Sequence, residues 1–300
     1  MMDKIKELLE RTGPLSGKEI RDESGLDEFS LWRICSESGD IVLRTSGKRF
    51  LRLDSSIKGY ARLSPSIKRE FLTYTVAGLK KDSREIKIKT ESIHNEIKNI
   101  SKQKLELAHD VIKKIVISQK KPEILTGCAC FIIAGDIVYG MAHSEPRPET
   151  STNEVVRGSD LDIIVVTENL SGKILKDLDR SIYQEKYYLI KSPSYREEID
   201  YIIKDIQKVR IQLNFNNFKS MVASKILHEG EFLYGSGEIF RKIKKMLAEK
   251  KIPEKLLALE KEAVINRKNA ESRLLESTGV FPEEECMKLF YTKQEREEIF

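Results

Sequence analysis

The chain reads as an α/β (α+β) protein, with a small mixed sheet in its central part and helical segments on both sides. Three observations carry that reading. Short apolar runs of strand length, Cys130-Phe131-Ile132-Ile133-Ala134, Ile163-Ile164-Val165-Val166 and Ile199-Asp200-Tyr201-Ile202-Ile203, recur within about seventy residues. Between Ser83 and Ser118, Ile86, Ile93, Ile97, Ile100, Val111, Ile112 and Ile115 fall mostly at helical spacing. The N-terminus alternates capping residues with short apolar patterns before two extended runs. With 300 residues, the chain can bury a substantial core in two domains with small appendages. The chain is read in four segments, 1–55, 56–121, 122–236 and 237–300, whose bounds follow from the motifs and resemblances given below.

Ile5, Leu8 and Leu9 define a first helix that ends near Thr12-Gly13-Pro14. Ser16 is placed to N-cap a second helix, which carries Ile20 inward and stops at Gly25. Asp27 opens a third, with Phe29, Leu31, Trp32 and Ile34. Ile41-Val42-Leu43-Arg44, a Thr45–Lys48 turn and Arg49–Leu53 then read as a hairpin. Residues 1–55 thus resemble a winged helix-turn-helix, a family whose third helix enters the DNA major groove. Here that helix region holds Asp27, Glu28, Glu37 and Asp40 against Arg33, which phosphates would repel, whereas the wing holds Arg44, Lys48, Arg49 and Arg52. Protein contact or packing is the first expectation for this unit, and RNA or DNA backbone contact through the wing the second.

Residues 64–119 are expected to be helical throughout, one helix starting at Ser64-Pro65 and a long amphipathic arm running from Ser83 until Lys120-Lys121-Pro122 breaks it. From Lys58 to Lys121, cations outnumber acids about two to one, although the whole chain carries only +5. That arm is either a solvated helical face or a footprint for RNA, DNA or another polyanion. Cys35, Cys128, Cys130 and Cys286 have no zinc-finger spacing and are expected to be reduced thiols. No signal peptide or apolar run of membrane-span length is evident, so no membrane partner and a cytoplasmic location are expected. Oligomeric state is not readable.

The chemistry concentrates around Ser159-Asp160-Leu161-Asp162, at the entrance to the apolar run 163–166. Alternation along a strand would turn the two carboxylates to one face, a cradle for a hard cation that takes oxygen ligands. Upstream, the strand at Cys130 runs into Gly135-Asp136; downstream, Asp200 is an acid set among apolar and β-branched residues, with Glu198 as its alternative. A segment from Ala223 through Glu229-Gly230-Glu231-Phe232-Leu233-Tyr234 follows. In this order the motifs resemble the nucleotidyltransferase superfamily that includes DNA polymerase β, and most of all its minimal members. The likeness covers residues 122–236.

The resemblance implies a nucleotidyltransferase core flanked by the winged-helix-like domain. Its metal ligands and catalytic residues would be Asp160, Asp162 and Asp200, holding Mg²⁺ or Mn²⁺. Gly135, Asp136 and Ser159 would lie at the nucleotide phosphates. The reaction implied moves a nucleoside monophosphate from a nucleoside triphosphate, ATP foremost, to a hydroxyl on RNA or another macromolecule, releasing pyrophosphate. The chain departs from the pattern twice. Asp136 stands where serine is usual, and Met141–Gly158 is a long, proline-containing link, expected to be a loop. In it Arg147 and Arg157 are candidates to neutralise phosphate, and His143 is the one histidine expected to face substrate. The alternative is a winged-helix regulator with a degenerate, nucleotide-sensing transferase domain. After Gly237, helices interrupted at Pro253 and Gly279–Pro282 are expected, with Lys242, Lys244, Lys245, Lys250 and Lys251 either lining an acceptor groove or facing solvent.

Overall fold

The structure, a computed structural model, describes residues 1–149, 151–276, 288–292 and 295. The fold is mixed α/β and divides into two compact units, one of residues 1–98 with 259–300 and one of residues 99–258. The predicted segments at 121/122 and 236/237 are not where these units part; the chain crosses between them inside two long helices.

In the first unit, α1 (Met2–Thr12), β1 (Leu15–Ser16), α2 (Gly17–Ser24) and α3 (Glu28–Glu37) follow the expected order. Their ends are locally encoded. Ser16 and Glu19 form a reciprocal capping box, Gly25 closes α2 in the left-handed conformation, and the Asp27 carboxylate accepts the Ser30 amide. The hairpin predicted after α3 does not form. β2 (Ile41–Thr45) and β3 (Phe50–Leu53) do not pair; β3 pairs instead with β4 (Ala61–Ser64). A short helix α4 (Ile67–Arg69) continues as a π-helical turn, Glu70–Tyr74, into β5 (Thr75–Leu79). β5 is the centre of a three-stranded antiparallel sheet ordered β1-β5-β2.

The expectation of helix throughout 64–119 therefore fails before Lys80. Thr75-Val76-Ala77-Gly78-Leu79 is buried along its whole length, and a buried strand carries no period-two signal to distinguish it from a buried helix. The core of this unit joins Ile5, Leu9, Ile20, Leu31 and Leu72 to Leu274 and Phe290.

The long helix α5 spans Ser83–Ile117, close to the predicted arm. In the second unit α6 (Pro122–Cys128), β6 (Ala129–Ile133), a 3₁₀ turn at Gly135–Ile137, the short strands β7 (Pro146–Pro148) and β8 (Val155–Arg157), and β9 (Leu161–Thr167) lead to α7 (Gly172–Lys191). β10 (Ile199–Asp205), α8 (Ile206–Gln212), α9 (Phe218–Glu229), β11 (Glu231–Gly235) and α10 (Gly237–Glu249) complete it, and α11 (Ile252–Glu276) begins there and runs into the first unit. The sheet order is β10-β9-β6-β11; β10 runs parallel to β9 and the other pairs are antiparallel. Parallel pairing needs a crossover, which α7 supplies.

Phe131, Ile133, Ile163 and Val165 face a core shared with Ile112, Val116, Leu178 and Ile182. Both faces of the central strands are covered, which explains their unbroken apolar runs. Cys35 and Cys130 are buried free thiols and Cys128 is half-buried, while Cys286 and the break at Gly279–Pro282 lie outside the described residues. Among the described residues no helix is long and apolar enough to cross a membrane.

Candidate active site

β9 and β10 set Asp162 opposite Asp200 in direct register, at the end of the sheet where both strands begin. Across β6, the chain leaves the sheet through Gly135, whose φ of 73° lies in the left-handed region. A Cβ built there would come within 2.0 Å of the Asp162 carboxylate. The glycine is thus required twice, by its backbone angle and by the carboxylate resting against it. The Ala134 amide donates to the Asp162 carbonyl at 3.0 Å and ties the turn to the strand.

Asp162 is half-buried, and its pKa is pushed up to about 7. Burial is the larger cause, followed by the negative charge of Asp136, Asp200 and Glu229; Lys225 offsets them only in part. Asp136 accepts a hydrogen bond from Ser159 Oγ at 3.0 Å, and Ser159 Oγ in turn accepts the His143 amide at 3.2 Å. Asp136, Ser159 and Asp162 are therefore brought together, and Asp200 joins them from the neighbouring strand.

Asp160 is not part of that group. It precedes β9, and its carboxylate is faced by the Arg147 guanidinium. Arg147 also donates through Nη2 to Glu198 Oε2 at 2.8 Å and through Nε to the Gly158 carbonyl at 3.0 Å. Glu198 is bound a second time by Lys186, at 3.1 Å. The two carboxylates of the Asp-x-Asp motif therefore have different surroundings, a cation at Asp160 and other acids at Asp162. The same contacts separate the two candidates for the third acid: Glu198 is paired and Asp200 is exposed.

Arg147 is carried by the link between Met141 and Gly158, which is a two-stranded β7–β8 ribbon rather than the expected loop. The ribbon is anchored from within. Glu149, 1 % exposed, accepts the Thr152 amide at 2.7 Å and both neighbouring hydroxyls. Burial alone would raise its carboxyl, but these bonds outweigh it and hold the pKa at about 2. Gly158 closes the ribbon, where a Cβ would meet the His143 carbonyl at 1.8 Å. His143, the histidine expected to face substrate, is 5 % exposed, and its Nδ1 accepts the Glu145 amide, so its ring packs within the fold. Arg147 is not a ready phosphate site, because it has the partners just described; Arg157 is exposed, and only its backbone carbonyl is bound, by Lys104, itself paired with Glu197.

Several cations singled out for nucleic acid are engaged inside the protein. Arg49 makes a two-bond pair with Glu70, at 2.6 and 2.5 Å, and reaches Glu271. Along α5, Lys89 pairs with Glu19 and Lys114 with Glu185. In α10, Lys244 donates to the carbonyls of Leu227, His228 and Gly230 at 2.6–2.9 Å, closing the C-terminus of α9, and Lys242 pairs with Glu168. Sequence reading missed the Tyr139, Lys225 and Glu229 cluster, in which Tyr139 Oη donates to Glu229 at 2.7 Å and Lys225 also binds Glu229. The i,i+4 spacing of Lys225 and Glu229 on α9 was its only local signal.

Among the described residues, no group of three or more His, Cys, Asp or Glu side chains is gathered closely enough to hold a metal ion. The register-matched pair Asp162 and Asp200 supplies the oxygen donors a hard cation takes, and Asp162 lies among negative charge that Lys225 offsets only in part. The donors fit such an ion in kind, as a pair rather than a finished cage. Comparison of the chain with protein-family models, curated proteins and solved structures finds no match.

Proposed function

We propose that the chain is a metal-dependent nucleotidyltransferase that moves a nucleoside monophosphate from a nucleoside triphosphate, ATP foremost, to a hydroxyl acceptor, with RNA or another macromolecule favoured. The observation that carries the reading is the juxtaposition of Asp162 and Asp200 in register, with Gly135 leaving room directly against Asp162. Mg²⁺ or Mn²⁺ held by Asp162 and Asp200, and by Asp160 once Arg147 releases it, would neutralise triphosphate charge and favour ionisation of the acceptor hydroxyl. The chain's own groups do the rest. Gly135 allows phosphate to approach the backbone, and exposed Asp200 can accept a proton from an acceptor hydroxyl. Ser159 holds Asp136 in place by its hydrogen bond.

A second reading, a winged-helix regulator that binds nucleotide without turnover, draws on the Arg147–Asp160 contact and on Asp136 beside the expected phosphate position. The β1-β5-β2 sheet beside three helices supports the winged-helix-like part of both readings, with residues 46–74 inserted before its last strand.

The test is incubation with each α-labelled nucleoside triphosphate, Mg²⁺ or Mn²⁺, and RNA and protein extracts. Label should transfer to an acceptor, and Asp162→Asn and Asp200→Asn should each lower the rate at least about a hundredfold. Transfer that survives both substitutions overturns the site. Nucleotide binding with no transfer to any acceptor favours the regulator.

A further inference from the structure

The acids at the start of β9 and β10 form two tiers. Asp162 is opposite Asp200, and the Leu161 amide donates to the Glu198 carbonyl at 2.8 Å, which carries the ladder back to Asp160 and Glu198. Leu161 and Ile199 turn into the core, so alternation sends these four acids to the other side of the sheet. The tiers are two residues apart, about 6.6 Å along the strands. The outer tier, 160 and 198, is bridged by a cation of the protein's own. The Arg147 guanidinium lies against Asp160 and bonds Glu198 through Nη2 at 2.8 Å, and Lys186 adds a second positive charge at Glu198.

Two features make the contact at Asp160 exchangeable. Asp160 Oδ1 is buried and accepts no hydrogen bond from the protein, so the guanidinium neutralises that oxygen without satisfying it. Arg147, for its part, keeps the Gly158 carbonyl and Glu198 as acceptors whether or not Asp160 stays with it. Its register with Val156 and the buried Glu149 turn fix it in the β7–β8 ribbon. A guanidinium and a divalent ion repel each other strongly at such short range, so an ion that reaches Asp160 must displace Arg147 from it.

We infer that Arg147 is an internal competitor for the divalent ion: in the nucleotide-free protein Asp162 and Asp200 hold the ion, and Arg147 keeps Asp160 out of its ligand set. The inference rests on the metal pair of the transferase reading and names how that pair is regulated. The free protein holds the ion weakly, and withdrawal of Arg147 supplies the third carboxylate.

The test is Mn²⁺ binding to the full chain without nucleotide, followed by loss of the free-ion electron paramagnetic resonance signal. Asp162→Asn and Asp200→Asn should each weaken binding about tenfold or more, whereas Asp160→Asn should change it by less than about threefold. Arg147→Met should tighten binding about tenfold, because Asp160 then joins the ion, and adding Asp160→Asn should cancel that gain. Lys186→Met removes a positive charge from the same tier without freeing Asp160, so it should tighten binding by less than about threefold. Lost packing at residue 147 would not tighten ion binding. If Arg147→Met does not fold, the contrast between Asp160→Asn and Asp162→Asn still decides. The proposal is overturned, and the metal pair stands, if Asp160→Asn weakens binding as much as Asp162→Asn does. The same holds if Arg147→Met leaves the affinity unchanged or Lys186→Met matches its effect. No Mn²⁺ binding at millimolar concentration overturns the metal pair itself, and the proposal with it.

Discussion

At Gly135 a hydrogen in place of a methyl group sets the geometry of the carboxylate site. Gly135→Ala must either rotate φ out of the left-handed region or move Asp162 away from a 2.0 Å clash. A cost of about 1–3 kcal/mol in chemical denaturation is expected, with loss of label transfer. Arg147 acts in the opposite sense. It is the cation for both Asp160 and Glu198, and Arg147→Ala leaves two largely enclosed carboxylates with fewer partners. A loss of about 2–4 kcal/mol follows, measurable by urea unfolding. Glu198→Gln should relieve part of that loss in the double variant, because one orphaned charge is removed.

At the scale of the element, β10 carries a buried cation as well as the candidate acid Asp200. Lys204 is 8 % exposed and bonds Gln212 Oε1 at 3.2 Å. Burial first, and Lys208 second, lower its pKa from 10.5 to about 8. The sign follows from linkage. A lysine whose folded pKa lies below its unfolded one destabilises the fold fully below the folded value, and the penalty fades as pH rises from about 8 toward 10.5. Lys204→Met should therefore stabilise the protein by about 1–3 kcal/mol at pH 7 and by much less near pH 10, compared by urea unfolding at the two pH values. Helix ends were the most legible elements: Ser16 with Glu19, Gly25 and Asp27 act on backbone groups within a turn of themselves. Strand partners were not legible. β2 and β3 look like a hairpin because they are adjacent in sequence, yet β2 finds β5 and β3 finds β4, residues later in the chain that bury the apolar faces.

For the whole molecule, residues near the C-terminus complete the unit that the N-terminus begins. Phe290 is 2 % exposed and packs edge-on against Phe29, with centroids 5.3 Å apart, and 5.7 Å from Trp32. Glu295 binds Arg69, and Arg267 binds Glu70. Trp32 is the chain's single tryptophan, so its fluorescence reports on this core. Phe290→Ala should cost about 3–5 kcal/mol in a Trp-monitored unfolding transition. An unchanged transition would mean that the aromatic cluster contributes no stability.

The sequence alone determined the mixed α/β class, the ends of the first three helices, the span of the long helix α5, and the candidate acids Asp162 and Asp200, because these depend on residue type, periodicity and near neighbours. Tertiary structure decided which charges meet. It sent Asp160 to Arg147, made Asp136 the partner of Ser159, buried His143, and spent Arg49 and Lys244 on internal contacts. The physical reason is that an ion pair is set by distances across the fold. Residues 147 and 198, or 49 and 271, carry no mark of each other until the sheets and helices bring them within hydrogen-bond reach.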